Sequence, residues 1–328
     1  MRAMVMDRFG GPEVLHMADV ETPKPGAGEV LIRVAYAGVN PADWKCREGW
    51  LSRFFEFKFP FVVGFDAAGI VAAVGPGVDD FKVGDRVVTS SNLGEGEWGT
   101  YAEFVKAATM RVAHLADSVD FKVAATIPTA AITSWEGLYD MGQLKAGQKV
   151  LIHGGAGGCG SFAIQFAKHT GARIAATCGP ANLDYVRELG AERAINYRAE
   201  NILEAVRAWA PEGVDLVLDT VGQGTLRDGI AMVKRGGMLG YIATLIENEP
   251  LFDKAAADRN GVNLVFVLSN RERSGRQLRA IVDLYNRGKL RPPAIEVLPL
   301  DQAGEAQKRV HAGHVRGKLL LKVADLAS

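Results

Sequence analysis

The run Lys149-Val-Leu-Ile-His-Gly-Gly-Ala-Gly-Gly-Cys-Gly160 joins a short apolar segment to five glycines in seven residues. Val150 to Ile152 is long enough for one buried parallel strand. Gly154, Gly155, Gly157, Gly158 and Gly160 follow, interrupted by Ala156 and Cys159. Beyond them, Ser161 to Thr170 places Phe162, Ala163, Phe166 and Ala167 on one helical face, and Gly171 ends the helix. Strand, glycine turn and helix together are the opening unit of a dinucleotide site. Glycines let the backbone approach a pyrophosphate, and a helix N-terminus offers free N–H groups. Gly154, Gly157 and Gly160 keep a three-residue spacing without the strict GxGxxG. A glycine-rich turn with no ligand is the plain alternative, which flanks of the right type disfavour.

Working outward, strand and helix patterns alternate. Arg173–Thr177 leads to a helix near 182–189, Ala194–Asn196 to one near 199–209, and Val214–Leu218 to one near 224–234; Met238–Ile242 is a further strand. Alternation of this kind predicts an α/β fold with a doubly wound parallel sheet. Upstream, residues 1 to about 118 are β-rich. Short runs (Val30–Ala35, Gly69–Val74, Arg86–Thr89, Thr100–Val105) lie between glycine and proline turns, which suggests a barrel-like domain. The tail adds a strand at Val262–Leu268, a helix at Arg276–Arg287 and a last strand at Lys318–Val323 that returns to the first domain. The expected division is 1–120 with 262–328, and 121–261.

The 328 residues carry 38 basic and 38 acidic side chains. Zero net charge argues against nucleic acid or an anionic membrane as the main partner. No run of 18 apolar residues exists, so no transmembrane helix is expected. Cys46, Cys159 and Cys178 are the only three cysteines. Their scatter fits neither a disulfide framework nor a closed zinc site. With no signal-peptide pattern at Met1–Asp7, a cytoplasmic location is expected.

In NAD sites an acidic residue about 20 positions beyond the first glycines binds the ribose hydroxyls. Here no Asp or Glu occurs from 172 to 183. A carboxylate there would repel a 2′-phosphate, so its absence favours NADPH over NADH. Gly179 and Asn182 border this place, with Tyr197 packing nearby. Asn182 reads as a phosphate contact or as a helix N-cap.

Several motifs together resemble the medium-chain dehydrogenase/reductase superfamily, in its zinc-free NADPH:quinone oxidoreductase (zeta-crystallin-like) branch. They are Gly38-Val-Asn-Pro-Ala-Asp43, Pro60 to Val71, Val83-Gly-Asp-Arg-Val87, Gly99 to Phe104, Gly154 to Gly160, Glu188-Leu-Gly-Ala191 with Asn196-Tyr197, and Gly317-Lys318. The resemblance spans essentially the whole chain. It implies a GroES-like catalytic domain plus a Rossmann domain, with the active site in the cleft between them. It further implies NADPH, reduction of quinones or of C=C bonds in α,β-unsaturated carbonyls, and homodimers or homotetramers.

In the zinc-containing branch, Cys stands at the position of Asn40 and His at that of Phe65. An amide and a phenyl ring do not replace thiolate and imidazole as ligands, so no zinc is expected. Without a Lewis acid to stabilise an alkoxide, alcohol oxidation is disfavoured. Hydride delivery to a conjugated acceptor needs only a few hydrogen-bond donors.

Site residues follow from these motifs, each beside a plainer reading. Asn40 is a polar contact to cofactor or substrate oxygen, or a turn residue before Pro41. Asp43 orients a neighbour, or caps a helix. Thr133 matches the family's hydroxyl that bonds the nicotinamide amide, or is an N-cap. Trp44, Trp50 and Phe54 wall a flat apolar substrate pocket, or simply pack under a loop. Lys45, where the family often has Tyr, reads as a solvated lysine, or as a cationic stabiliser or proton source. Val221, Ile242 and Thr244 follow Rossmann strands at their carboxyl ends and are cofactor contacts. Lys318 lies near the cofactor cleft in the family; otherwise it is a surface lysine at a strand start. The expected activity is zinc-independent, NADPH-dependent quinone reduction. Enone or enoyl-thioester reduction is one alternative. An NADPH-binding structural or RNA-binding protein with little turnover is another, which the neutral charge disfavours.

Overall fold

A computed structural model describes residues 1–93, 96–222, 224–242 and 253–326. The chain forms two compact units, Met1–Ala130 with Arg271–Ser328, and Ala131–Asn270.

The second unit holds a six-stranded sheet in the order Arg193–Asn196, Arg173–Cys178, Lys149–His153, Val214–Asp219, Val233–Ile242, Asn263–Val267. All neighbouring strands run parallel. The order reverses at Lys149–His153, and such a switch point is where open α/β sheets bind ligands, at the strands' carboxyl ends. Lys149–His153 is apolar and buried from Val150 onward because it is paired on both sides and covered on its faces. The glycine turn then feeds the helix Gly158–Thr170, which ends at Gly171 in the left-handed conformation, φ 82°.

The first unit carries a seven-stranded sheet, mainly antiparallel, and a smaller three-stranded one. Its spine is Glu29–Gly38, buried along most of its length and paired with Asp66–Val74, Phe104–Ala108 and Lys318–Lys322. The last strand does return to the first unit: Leu320 lies opposite Gly38. Its core joins Ile32, Val71 and Val105 to Leu298, Leu319 and Leu321 from the chain's end.

Two expectations shift. The expected tail strand, here Asn263–Val267, pairs with Val233–Ile242 and so completes the Rossmann sheet. Thr100–Val105 is not one strand; the regular part is Phe104–Ala108. The N–H groups of Gly99, Thr100 and Tyr101 instead reach the carbonyls of Val62, Gly64 and Val63 at 2.7–3.0 Å, and Met4 N–H donates to Tyr101 O at 2.8 Å. This irregular segment ties the strand Arg2–Met6 to the segment Phe61–Gly64. Among the described residues no helix is long and apolar enough to cross a membrane.

Candidate active site

In the second unit, the glycine turn is shaped by contacts that admit no side chain. Gly154 has φ 71°. A Cβ on Gly160 would sit 2.2 Å from Gly154 O and 2.7 Å from Gly155 Cα, so the helix starts hard against the strand end. Gly157 is different: the nearest atom to its Cβ position would be Gly154 O at 3.4 Å. A Cβ at Gly157 would therefore meet only ordinary contact, at the start of the helix that presents the N–H groups of Gly158, Cys159 and Gly160. Cys159 is half-buried, and its carbonyl accepts from Ser134 Oγ at 2.8 Å. Below the turn, Thr177 Oγ1 accepts from Gly154 N–H at 3.2 Å and lies 3.2 Å from His153 Nδ1. His153 is fully buried at its strand end; burial lowers its pKa, against the opposing pull of Asp219.

At the end of the second strand, Gly179 faces Tyr197, whose ring is 3.8 Å from the glycine's Cβ position. Asn182 occupies the N-cap position of the helix Leu183–Leu189, yet its side chain makes no capping bond. The N-cap reading therefore fails for the side chain. Arg198, which the sequence reading passed over, reaches this corner. Its Nε donates to Tyr197 Oη at 3.4 Å and its guanidinium lies 5.7 Å from the ring centre. The signal was available, because Arg198 directly follows Tyr197. Val221, 50% exposed, and half-buried Ile242 lie at carboxyl ends of their strands. Asp219 Oδ1 fixes the turn after its strand by accepting from the N–H groups of Val221 and Gly222, both at 2.8 Å. Thr244 lies outside the described residues. Thr133 is buried inside the helix Pro128–Trp135. It is not an N-cap, since the helix begins five residues earlier.

The first unit brings Asn40, Asp43 and Lys318 together with two residues not foreseen, Asp66 and Tyr101. Asn40 precedes the helix Pro41–Arg47, and the proline at its first position needs no N–H partner. The Asp43 carboxyl reaches back to Asn40 N–H at 2.6 Å, as a capping residue does. It also accepts from Tyr101 Oη at 2.9 Å and Phe65 N–H at 3.2 Å. Capping and orienting thus coincide in one side chain. Burial pushes the Asp43 pKa up to about 7, with Asp66 adding to the rise and the Asn40 and Tyr101 bonds opposing it. Burial, with the Asp43 charge, also raises the Tyr101 phenol well above its ordinary value.

Lys318 is 4% exposed and is not a surface lysine. Its Nζ donates to Val39 O at 3.1 Å and to Asn40 Oδ1, and lies 3.6 Å from Asp66 Oδ2. Asn40 Nδ2 donates to the same Asp66 oxygen at 2.9 Å. Thr129 closes the far side of Asp66 through its N–H at 3.0 Å and its hydroxyl at 2.6 Å. Nothing local in the sequence announces Asp66 or Tyr101 as partners, because the fold alone joins these segments.

This arrangement does not suit zinc. Asn40's oxygen is engaged by an ammonium, and Phe65 offers no donor atom. Among the described residues no group of three or more His, Cys, Asp or Glu is placed to hold a metal ion.

The expected aromatic pocket divides. Trp44 stacks on His311 at 4.0 Å and meets Trp50 edge-on at 5.7 Å. Trp44 thereby packs against the helix Ala303–Ala312. Phe54, 59% exposed, lines a cavity of about 460 Å³ with Phe9, Phe55, Phe57 and Phe59, and neither Trp lines it. Lys45 is half-buried rather than solvated, with its amine lowered to about 8 by burial.

Residues 26–117 match the family model for the alcohol dehydrogenase GroES-like domain, and residues 189–321 match that described as zinc-binding dehydrogenase. The chain is 32% identical to human quinone oxidoreductase over 327 residues, covering 98% of this chain and 97% of the relative. It is 36% identical over 244 residues to the chloroplastic NADPH-dependent alkenal/one oxidoreductase of Arabidopsis thaliana, covering 72% of this chain and 61% of that one. A solved NAD-dependent alcohol dehydrogenase superposes with TM-score 0.91 at 32% identity, covering 99% and 100% of the two chains. A mycobacterial protein solved with NADPH does so with TM-score 0.88 at 30% identity, covering 98% and 100%. A GroES-like sheet unit and a Rossmann unit in one chain define a pyridine-nucleotide-dependent oxidoreductase. The chain belongs to the medium-chain dehydrogenase/reductase superfamily, in its quinone oxidoreductase branch.

Proposed function

We propose that this enzyme reduces quinones with NADPH and without zinc. The observation that carries the reading is the buried Lys318–Asn40–Asp66 cluster, which commits Asn40 to hydrogen bonding at a position where zinc-dependent relatives place a ligand. Bound NADPH supplies a hydride from C4 of its nicotinamide, and one further proton completes the conversion of quinone to hydroquinone. The chain's own contribution is placement. Asn40 donates to the acceptor oxygen, Asp43 holds the loop that carries Asn40, and the Thr133 hydroxyl orients the nicotinamide amide. The proton comes from water or a side chain at the site.

The preference for NADPH rests on three grounds. No Asp or Glu occurs from 172 to 183, Asn182 has an uncommitted capping group, and Arg198 beside Tyr197 adds a positive charge. The mycobacterial neighbour solved with NADPH supports this choice. The alkenal/one oxidoreductase relative favours a second reading, reduction of an enone C=C bond by the same hydride chemistry. Neutral charge and turnover-competent relatives weigh against a binding-only protein. The enzyme works as a homodimer or homotetramer in the cytoplasm.

An aerobic NADPH-oxidation screen tests the reading across quinones, enones and enoyl thioesters, repeated with NADH. Turnover of 1,2-naphthoquinone, unaffected by a chelator, is expected. Ethanol oxidation abolished by the chelator overturns the zinc-independent mechanism.

A further inference from the structure

Asn40 is 2% exposed and is held between two partners of opposite kind. An ammonium only donates and a carboxylate only accepts. Lys318 therefore takes Oδ1, and Asp66 takes one proton of Nδ2. Turning the amide over would set NH₂ against NH₃⁺ and C=O against a carboxylate. Asp66 is itself immobilised by both Thr129 bonds. A buried ion pair is weak evidence for stability, because desolvation offsets its attraction. The arrangement has a clearer consequence: one Nδ2 proton of Asn40 is left over. Lys318 has no such surplus, because its ammonium faces Val39 O, Asn40 Oδ1 and Asp66 Oδ2.

We propose that Lys318 is a positioning residue which, with Asp66, fixes the Asn40 amide so that the group offered to an acceptor is an N–H donor, not a carbonyl. This rests on the reading of Asn40 as the contact to the acceptor oxygen. Negative charge develops on that oxygen as hydride arrives at a conjugated carbon. A preset donor stabilises it, whereas a carbonyl in its place would repel it.

Lys318→Met alone would strand the Asp66 carboxylate, so the informative variant is Lys318→Met with Asp66→Asn. An amide at 66 both donates and accepts, which frees Asn40 to turn. Two measurements are made on the full-length protein. The first is the side-chain ¹H–¹⁵N signals of Asn40: two distinct protons, one slow to exchange, are expected in the parent and lost in the double variant. The second is kinetics with 1,2-naphthoquinone. The double variant is expected to lose about tenfold to 100-fold in kcat, below the loss for deleting a donor outright, while NADPH Kd stays within about twofold. Lys318→Arg, which keeps a cationic donor, is expected to retain most of kcat. Unchanged Asn40 signals in the double variant overturn the proposal, as does a freed amide with unchanged kcat. If the parent protein turns over neither quinones nor enones, the functional reading falls. The Asn40 signals still decide whether Lys318 and Asp66 hold one amide orientation.

Discussion

Lys318 and Asn40 stand 278 positions apart in the chain, yet the ammonium of one is bonded to the amide oxygen of the other in the interior. Around this pair converge the segments that carry Asp43, Asp66, Tyr101 and Thr129.

Asp43 predicts a pH dependence of stability. Its folded pKa, about 7, lies above the ordinary 3.8. Between these values the folded state binds more protons than the unfolded state, so stability falls as pH rises through that window. The upper bound is about 4 kcal/mol, at roughly 1.4 kcal/mol per unit. Denaturant unfolding at pH 5 and pH 8 checks this. Asp43→Asn is expected to show a markedly smaller drop between the two.

The glycine turn predicts a contrast between two alanine variants. Gly160→Ala forces a Cβ against backbone atoms at 2.2 and 2.7 Å. A loss of about 3 kcal/mol in stability is expected. Gly157→Ala meets nothing nearer than 3.4 Å. It is expected to keep the parent Tm and to weaken NADPH binding about tenfold or more, read by nicotinamide fluorescence.

Arg198 predicts cofactor choice. Arg198→Ala is expected to raise the KM for NADPH roughly tenfold, the scale of one charge-assisted contact to phosphate. NADH kinetics should stay unchanged. Equal effects on both cofactors would remove Arg198 from the phosphate corner.

Arg47 predicts a structural loss without a chemical one. Its side chain is fully buried, donating to Gly10 O at 2.9 Å, Gln307 Oε1 at 2.7 Å and Glu48 Oε1 at 2.5 Å. Arg47→Met is expected to cost about 3 kcal/mol, with NADPH affinity of the folded protein unchanged. Thermal unfolding and titration separate the two.

What the chain reveals in one dimension is what it builds locally. Lys149 to Thr170 was readable because strand, turn and helix are consecutive, and each declares itself by apolar run, glycine or periodicity. The strand at Asn263–Val267 was recognised as a strand but given to the wrong unit, since an apolar strand looks the same whichever sheet it joins. Thr100–Tyr101 looks regular but serves as a clasp between the strand Arg2–Met6 and Val63–Gly64. The motif residues Asn40 and Asp43 were found, whereas their partners Asp66 and Tyr101 were not. Their pairing depends on register between distant strands, which no local pattern encodes. Arg198 directly follows Tyr197 in the chain, but only the fold shows its guanidinium against the Tyr197 ring.

The first unit is assembled from both ends of the chain, and this sets an order of events during synthesis. Residues 131–270 can close their parallel sheet as soon as they leave the ribosome. The first 130 residues must wait, with the edge at Tyr36–Gly38 unpaired and the Asp66 carboxylate lacking its counter-ion, until Lys318 and the strand behind it emerge. Translation speed and chaperone supply late in the message should therefore govern the yield of active enzyme more than events near its start.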